Sequence, residues 1–405
     1  MNIVSDTDSL SQLCAELSGS DFITVDTEFI RETTYWPRLC IIQVANTEQA
    51  AIIDFLADGL ELEPFFELLR DETITKVFHA ARQDIEIIYH LGGFIPHPVF
   101  DTQVAAMVCG FGDSISYDQI VGKVTGEHID KSHRFTDWAR RPLTDKQLTY
   151  ALADVTHLRD VYQFLKANLE EQNRAGWVRE EMGILTSVDT YRMDPKRAWM
   201  RMKMRVRKPR EIAIMQELAA WREKEAQKRD VPRNRVIKDD AIYEIAMHQP
   251  KNQEALGLLR AVPNGFERSR SAPGLIAAVK RGQSVAEEDL PIVPRGRPSP
   301  DGSGAAVDLL KVLLKLTSEA HGVAAKVIAT VDDLEKIAGD DQADVPALNG
   351  WRRELFGNNA IALKQGKIAL GFNGRRVVAI EHEIEQLQPQ PNSSRRRRKN
   401  RAVSG

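Results

Sequence analysis

Asp26 and Glu28 stand two residues apart in Phe22-Ile-Thr-Val-Asp-Thr-Glu-Phe29, an apolar, β-branched run that reads as a core strand. Successive side chains on a strand point to opposite faces. Thr24, Asp26 and Glu28 therefore share one face, and Ile23, Val25, Thr27 and Phe29 the other. Two carboxylates side by side on a buried strand repel each other and lose hydration, and a cation between them makes the arrangement tolerable. A third carboxylate, Asp84, follows the strand-like Thr75-Lys-Val-Phe-His79 at the start of a helical segment. A fourth, Asp154, closes Tyr150-Ala-Leu-Ala-Asp154 within the helical stretch Thr144–Leu165. Positions i and i+4 share a helix face, so the phenol and the carboxylate reach the same small volume. Ala151 and Ala153 keep that surface low. Taken singly, each element has an ordinary reading: a solvated strand end, a residue complementing a helix dipole, a helix-surface pair. Together, four carboxylates without a nearby cysteine or an obvious histidine pair make a hard, all-oxygen donor set that suits Mg²⁺ or Mn²⁺ better than structural zinc. Two such ions roughly 3.5–4 Å apart can hold the attacking and leaving oxygens of a phosphodiester in line. Tyr150 is placed to orient the attacking water.

The elements that must position these groups follow from periodicity. A helix over residues 5–18 precedes the strand Phe22–Phe29. Leu39–Ala45 and Ala50–Asp54 are further apolar runs joined by the turn-forming Asn46-Thr-Glu-Gln49, which predicts an antiparallel meander. An amphipathic segment Leu60–Leu69, a helix Arg82–Leu91 stopped by Gly92-Gly93 and a short strand Val99-Phe100 follow. A meander followed by β-α-β units predicts an α/β domain, a mixed sheet with helices on both faces. Beyond about residue 190 no strand pattern is apparent. Pro209–Arg229 reads as a long amphipathic helix with proline in its first turn, and shorter helices are predicted around 238–248, 252–260 and 272–281. Pro291–Gly304 has the Pro/Gly/Ser content of a linker, and a second helical block runs from Ala305 to about Gln386. The two blocks share Asp240-x-Ile-x-x-Ile-Ala246 and Asp332-x-Leu-x-x-Ile-Ala338.

The 405 residues carry a net charge of only −3, yet the charge is divided unevenly. Residues 1–190 hold 31 acidic against 15 basic side chains, and residues 191–405 hold 27 against 40. Arg192–Arg210 contains nine Lys/Arg and one acid, Asp194, and the chain ends in Arg395-Arg-Arg-Arg-Lys-Asn-Arg401. An acidic half joined to a basic half suits metal ions on one side and a polyanion on the other. No apolar run reaches the roughly 18 residues of a membrane span, and the first residues lack the basic start and apolar middle of a signal peptide. Cys14, Cys40 and Cys109 have no metal-site spacing and cannot all pair, which suits a reducing, cytoplasmic setting and no membrane partner.

Asp26-Thr-Glu28, Phe78-His-Ala-x-x-x-Asp84 and Tyr150-x-x-x-Asp154 resemble, in order, the three motifs of the DEDD exonuclease superfamily, in its tyrosine branch. The wider text, Asp26–Leu39 and Phe135-Thr-Asp-Trp-Ala-Arg-Arg-Pro-Leu143, is similar to bacterial ribonuclease D. This resemblance covers roughly residues 1–190. It implies a ribonuclease H-like fold, two divalent cations (Mg²⁺ or Mn²⁺) and 3′-to-5′ release of nucleoside 5′-monophosphates from RNA. It also implies tRNA precursors and other structured RNAs with a free 3′ end as substrates. Carried over, Asp26, Glu28, Asp84 and Asp154 are the expected metal ligands and Tyr150 the residue that positions or helps deprotonate water. Phe29, Gln43 and His79 are candidates for touching the RNA, with Trp36 a further stacking candidate. Asp101 is a candidate supporting carboxylate or helix cap.

Leu218-Ala-Ala-Trp-Arg-Glu-x-x-Ala226 and Arg235–Ala246 resemble the helicase-and-ribonuclease-D C-terminal (HRDC) module, whose implied role is to hold nucleic acid; the second block keeps only Val331-Asp-Asp-Leu-Glu-Lys-Ile-Ala338. The expected division is an exonuclease domain over 1–190, a basic connector over 191–208 and an HRDC domain over 209–290. A linker over 291–304, a second all-α HRDC-like domain over 305–386 and a basic, disordered tail over 387–405 complete it. The connector is a candidate RNA path, with Trp199, Met200, Met202 and Met204 available for stacking or, better, packing. A monomer is expected. The same carboxylates would serve a DNA exonuclease, so matched RNA and DNA oligonucleotides separate the two. A non-catalytic RNA-binding adaptor would have no need to keep all five active-site residues.

Overall fold

The computed structural model describes residues 2–134, 136–292 and 303–381. Phe135, most of the expected linker, residues 382–386 and the tail over 387–405 lie outside the described residues. The chain divides into two compact units, Met1–Pro298 and Ser299–Gly405.

The first unit opens with a six-stranded sheet in the order β1-β4-β3-β2-β5-β6. Its strands are β1 (Asn2–Val4), β2 (Phe22–Ile30), β3 (Arg38–Ala45), β4 (Ala50–Asp54), β5 (Thr75–Phe78) and β6 (Val99–Asp101). β2, β3 and β4 form the expected antiparallel meander. β5 adds to β2 and β6 to β5 in parallel, so the sheet is mixed. β1 escaped the sequence reading: it is three residues long, only Val4 is buried, and it pairs in parallel with β4. β2 lies in the middle, paired with β5 over Phe22–Thr24 and with β3 from Thr24 to Ile30, so the ladder to β3 carries the stretch that holds Asp26 and Glu28.

One face of the sheet carries the long helix α6 (Asp145–Glu171), which packs along β2, β3, β4 and β5. Thr144 and Gln147 form a capping box at its start. Ile23 and Val25 project to the opposite face and are fully buried, so that face is covered too. The buried sides of α1 (Thr7–Leu17), α2 (Glu63–Arg70) and α3 (Arg82–Gly92) supply the apolar surface to close it. Helices α4 (Thr102–Val108), α5 (Tyr117–Thr125) and α7 (Ala175–Leu185) complete the nuclease part, with α4 and α5 both against α6.

Beyond the connector, helix Pro209–Arg229 packs against Ala272–Gln283 and Asp239–His248 around Leu218, Ile242, Ile245, Leu275 and Val279. Trp199 and Met202 join this core, whereas Met200 and Met204 remain exposed. Tyr35, from the β2–β3 loop, belongs to the same core. Its hydroxyl donates to Glu223, which is 2% exposed and also accepts from Arg233 Nε at 2.5 Å and Nη2 at 2.6 Å. Asp230, in the left-handed conformation at the end of Pro209–Arg229, accepts from the backbone N–H of Tyr35 and of Trp36 at 3.0 Å each. The Trp36 ring is stacked on His90 with centroids 4.1 Å apart, so that face is taken by the protein rather than offered to a base.

In the second unit, helices Ser303–His321, Ala325–Ile328 and Val331–Gly339 repeat the succession Pro209–Arg229, Arg233–Val236 and Asp239–His248 in order and closely in length. The expectation that this block is all-α is overturned at its end, where Ile368–Asn373 and Arg376–Glu381 form an antiparallel hairpin. Ile368, Leu370 and Phe372 alternate with smaller or polar residues, and Gly374-Arg375 form the two-residue turn, with Gly374 at φ 63°. A two-residue loop with glycine at its first position, between alternating apolar residues, is a hairpin signal. The preceding apolar run of Asn358–Lys364 masked it by extending a helical pattern.

Glu223→Ala would leave the Arg233 guanidinium and the Tyr35 hydroxyl without their acceptor. The expected loss is about 3 kcal/mol, the low end of the cost of breaking a buried pair, because Arg233 keeps some access to water. Urea unfolding monitored by circular dichroism checks it, and Glu223→Gln should cost less.

Candidate active site

The sheet brings the two ends of the acidic constellation together. Thr24 shares a face of β2 with Asp26 and Glu28, and its Oγ1 lies 2.8 Å from the carbonyl of Val155, to which it donates. That bond fixes α6 against β2 one residue beyond Asp154. Tyr117 on α5 donates from its hydroxyl to the Ala153 carbonyl at 2.9 Å, holding the same turn from the other side. Ala151 is fully buried against the sheet, in a layer with Cys40, Ile41, Ile52, Trp138 and Leu148. The result places carboxylate oxygens of Asp26, Glu28 and Asp154 all within 4.8 Å of one another. The strand register breaks between Glu28 and Phe29, a bulge that re-aims the end of β2 at the site.

Asp84 reaches the cluster from the opposite side of the strand. Thr27, on the other face of β2, donates to Asp84 Oδ1 at 2.5 Å. Asp84 is 6% exposed and lines the same cleft of about 490 Å³ as Asp26, Glu28, Tyr150 and Asp154. It stands beside the close trio rather than within it. Its position depends on the bend between β5 and α3, where Ala80 takes a left-handed φ of 61°. The backbone N–H groups of Ala80 and Ala81 donate to the two oxygens of Asp101 at 3.0 and 2.9 Å. Asp101 also caps α4 through Gln103 N–H at 2.8 Å. Its cap role is therefore borne out, and the same carboxylate stabilises the turn that delivers Asp84.

The electrostatics are those of crowded, buried carboxylates. Burial first, and then the neighbouring Asp154, hold the Asp26 carboxyl well above the usual carboxylate range. Burial and then the surrounding carboxylates, Asp26 foremost, push Glu28 up strongly, with Arg134 acting against them. Burial and Asp26 raise Asp84. Burial pushes Asp154 up to about 7, opposed by a hydrogen bond from the Tyr150 phenol and by Arg134. The Tyr150 hydroxyl is itself raised, by burial and then by the charge of Asp154, and so holds its proton. Such a donor set, oxygen only and mutually repulsive, fits hard divalent cations, which would restore the charged forms.

Of the residues expected to touch a substrate, Phe29 and His79 line the cleft. Gln43 does not. It pairs in register with Asp26 on β3, is fully excluded from solvent, and neither amide atom has a hydrogen-bond partner among the described residues. Shut off from solvent on the Asp26 face of the sheet, it is out of reach of RNA. The sequence reading missed Lys131 and Arg134 on the cleft rim, together with Gln83, Ser116 and Tyr117. Lys131 pairs with Asp118 at 2.6 Å. The signal was present in Lys131-Ser-His-Arg134, a compact cationic run in a strongly acidic domain.

Comparison with known proteins places this geometry. A 3′-5′ exonuclease family model matches residues 1–170, and an HRDC domain model matches residues 211–279. Ribonuclease D of Nitrobacter hamburgensis is 56% identical over 94% of this chain and 100% of its own length. The chain belongs to the ribonuclease D family. Ribonuclease D of Bartonella henselae is 50% identical over 93% of each chain. The crystal structure of Escherichia coli RNase D is similar with a TM-score of 0.78 and 29% identity, covering 90% of this chain and 99% of that one. As a ribonuclease D, the chain is a 3′-to-5′ exoribonuclease, and the family implies that it depends on a divalent metal. The catalytic core of RRP6 from Trypanosoma brucei shares the fold at 22% identity and a TM-score of 0.52.

A carboxylate raised in the folded state binds its proton more tightly there than in the unfolded chain. Stability from that group is therefore complete below the ordinary value and declines as pH rises through the raised one. In chelator, the wild type should lose stability relative to Asp154→Asn as pH rises from 3.8 to about 7. Equilibrium unfolding of both proteins in EDTA at stepped pH reads this, and a pH-independent difference would contradict it.

Proposed function

We propose that this ribonuclease D trims the 3′ ends of tRNA precursors and other structured RNAs, releasing nucleoside 5′-monophosphates one at a time. The observation that carries this reading is the convergence of Asp26, Glu28 and Asp154 within 4.8 Å, beside Asp84 and the Tyr150 phenol, in one open cleft. The Escherichia coli relative is described as an exoribonuclease involved in structured RNA processing.

Asp26, Glu28, Asp84 and Asp154 would hold the metal, as two ions of Mg²⁺ or Mn²⁺. When bound, these cations supply Lewis-acid charge for the phosphoryl oxygens and lower the pKa of water. The chain's own part is positional. Tyr150, protonated and hydrogen-bonded to Asp154, offers a fixed hydroxyl with which to orient the attacking water. Arg134 faces the same carboxylates and offers positive charge where a phosphate must enter an acidic cleft. Phe29 and His79 bound the space available to the 3′-terminal nucleotide.

The nuclease domain would span 1–190, the connector 191–208, and the HRDC domain 209–290. The block over 305–386 would be a second, diverged module that keeps the helix succession of the first but ends in a hairpin. Both would hold RNA by phosphate contacts without sequence choice. The protein would work in the cytoplasm, in keeping with three free cysteines, and as a monomer.

With 5′-labelled RNA and Mg²⁺ or Mn²⁺, a descending ladder is expected, and 3′-labelled RNA should release its label as a mononucleotide at once. Asp26→Asn should lower turnover by about three orders of magnitude, and Tyr150→Phe by about a hundredfold, while RNA binding measured by fluorescence anisotropy persists. Wild-type turnover in Asp26→Asn, or equal rates on matched DNA, would overturn the reading.

A further inference from the structure

Beside the active-site cleft lies a second, smaller pocket of about 250 Å³ whose chemistry is the reverse of the first. We propose that it is a phosphate subsite holding the RNA strand upstream of the scissile bond. The proposal rests on the exoribonuclease reading and adds to it a place where the chain's backbone is gripped.

Three guanidiniums meet there. Arg31 follows the end of catalytic strand β2, Arg82 opens α3, and Arg201 comes from the basic connector. One carboxylate, Glu86, opposes them and is already held by Arg31, whose Nη1 and Nη2 donate to its two oxygens at 2.8 Å each. Arg82 is exposed and makes no ion pair among the described residues. Arg201 approaches Glu223 only at 3.9 Å, and that carboxylate is claimed more closely by Arg233. Its shorter contact is to Met193 Sδ, at 2.9 Å. Tyr191 lines the same pocket, and its hydroxyl is buried without a hydrogen-bond partner. Two cationic groups are thus gathered in a concavity of an otherwise acidic domain and left without full compensation.

The ligand class follows from position. Gln83 lines both this pocket and the catalytic cleft, so a strand leaving one passes the other. RNA presents one phosphate per nucleotide along that path, and the planar fork of arginine matches phosphate oxygens in pairs. Three other connector cations are engaged elsewhere: Arg205 pairs with Asp240 at 2.7 Å, Lys208 with Glu211 at 2.9 Å, and Arg210 donates to the carbonyl of Gln283 at 2.9 Å. Of the basic connector, Arg201 is the cation that lines this pocket, joined there by two arginines from the nuclease domain.

The test is the affinity of the full chain, in EDTA, for a fluorescein-labelled RNA decamer and for a dinucleotide, at several salt concentrations. Arg82→Gln and Arg201→Gln should each weaken decamer binding about tenfold relative to the dinucleotide. The log–log salt slope for the decamer should become shallower by about 0.7 per lost contact. Arg82→Lys should recover part of the loss through charge alone. An unchanged decamer-to-dinucleotide ratio, or an equal loss on both lengths, overturns the subsite. Circular dichroism melts confirm that the variants fold, and Arg201, which is 53% exposed, tolerates substitution should Arg82 not. Because binding is read without turnover, a protein that bound decamers through these arginines yet produced no 3′-to-5′ ladder would refute the catalytic reading and leave the subsite standing.

Discussion

The mutual repulsion of carboxylates at the end of one central strand is the constraint that organises this molecule. Asp26, Glu28 and Asp154 would move apart if their backbones allowed it, since burial and like charge both penalise their ionised forms. They are held by a strand flanked on both sides, and by a helix tied to that strand through Thr24 and Val155. Asp84 is held differently, by Thr27 from the far face of the strand and by a strained turn that Asp101 stabilises. The cluster is thus pre-formed largely by backbone pairing and by hydrogen bonds from neutral groups, which is the arrangement a cation site needs if binding is not to require rebuilding the protein.

The same logic explains the division of charge along the chain. A domain that concentrates carboxylates repels the polyanion it must admit, and the cations that answer this lie in three separate places in sequence: Lys131 and Arg134, Arg31 and Arg82, and Arg201. Composition shows the imbalance between halves but not which arginines remain available. Arg222 and Arg233 count equally in the net charge, yet the first is committed to Asp239 and the second to Glu223. Local geometry, not the total, decides where a phosphate finds an unpaired guanidinium.

What could be read from the sequence was whatever local periodicity or short spacing encodes. The meander, the long helix carrying Tyr150 and Asp154, and the opposite faces of β2 follow from alternation and from the i, i+4 rule. The family motifs then gathered the four carboxylates into one site. The three-residue β1 was too short to leave a pattern, and the terminal hairpin was hidden because its first strand begins just after a helical run. Gln43 looked available because it lies near the motifs, and its pairing with Asp26 does put it on the same face, but it is fully shut off from solvent and does not line the cleft. Contacts such as Tyr35 with Glu223 join residues 188 positions apart and leave no local trace in the sequence.

That long-range contact changes how the helical module should be understood. An HRDC domain joined only by a flexible tether would add affinity for RNA without affecting where the strand goes. Here Glu223 and Asp230 grip Tyr35 and Trp36, and these residues end the loop that leaves the catalytic strand immediately after Glu28–Ile30. The same loop carries Arg31, and the connector into the helical module carries Arg201. Fixing the module against the loop therefore fixes two of the three arginines relative to the carboxylates. The geometry that sets the path of the strand is built jointly by a nuclease domain and a nucleic-acid module, and neither part contains it alone.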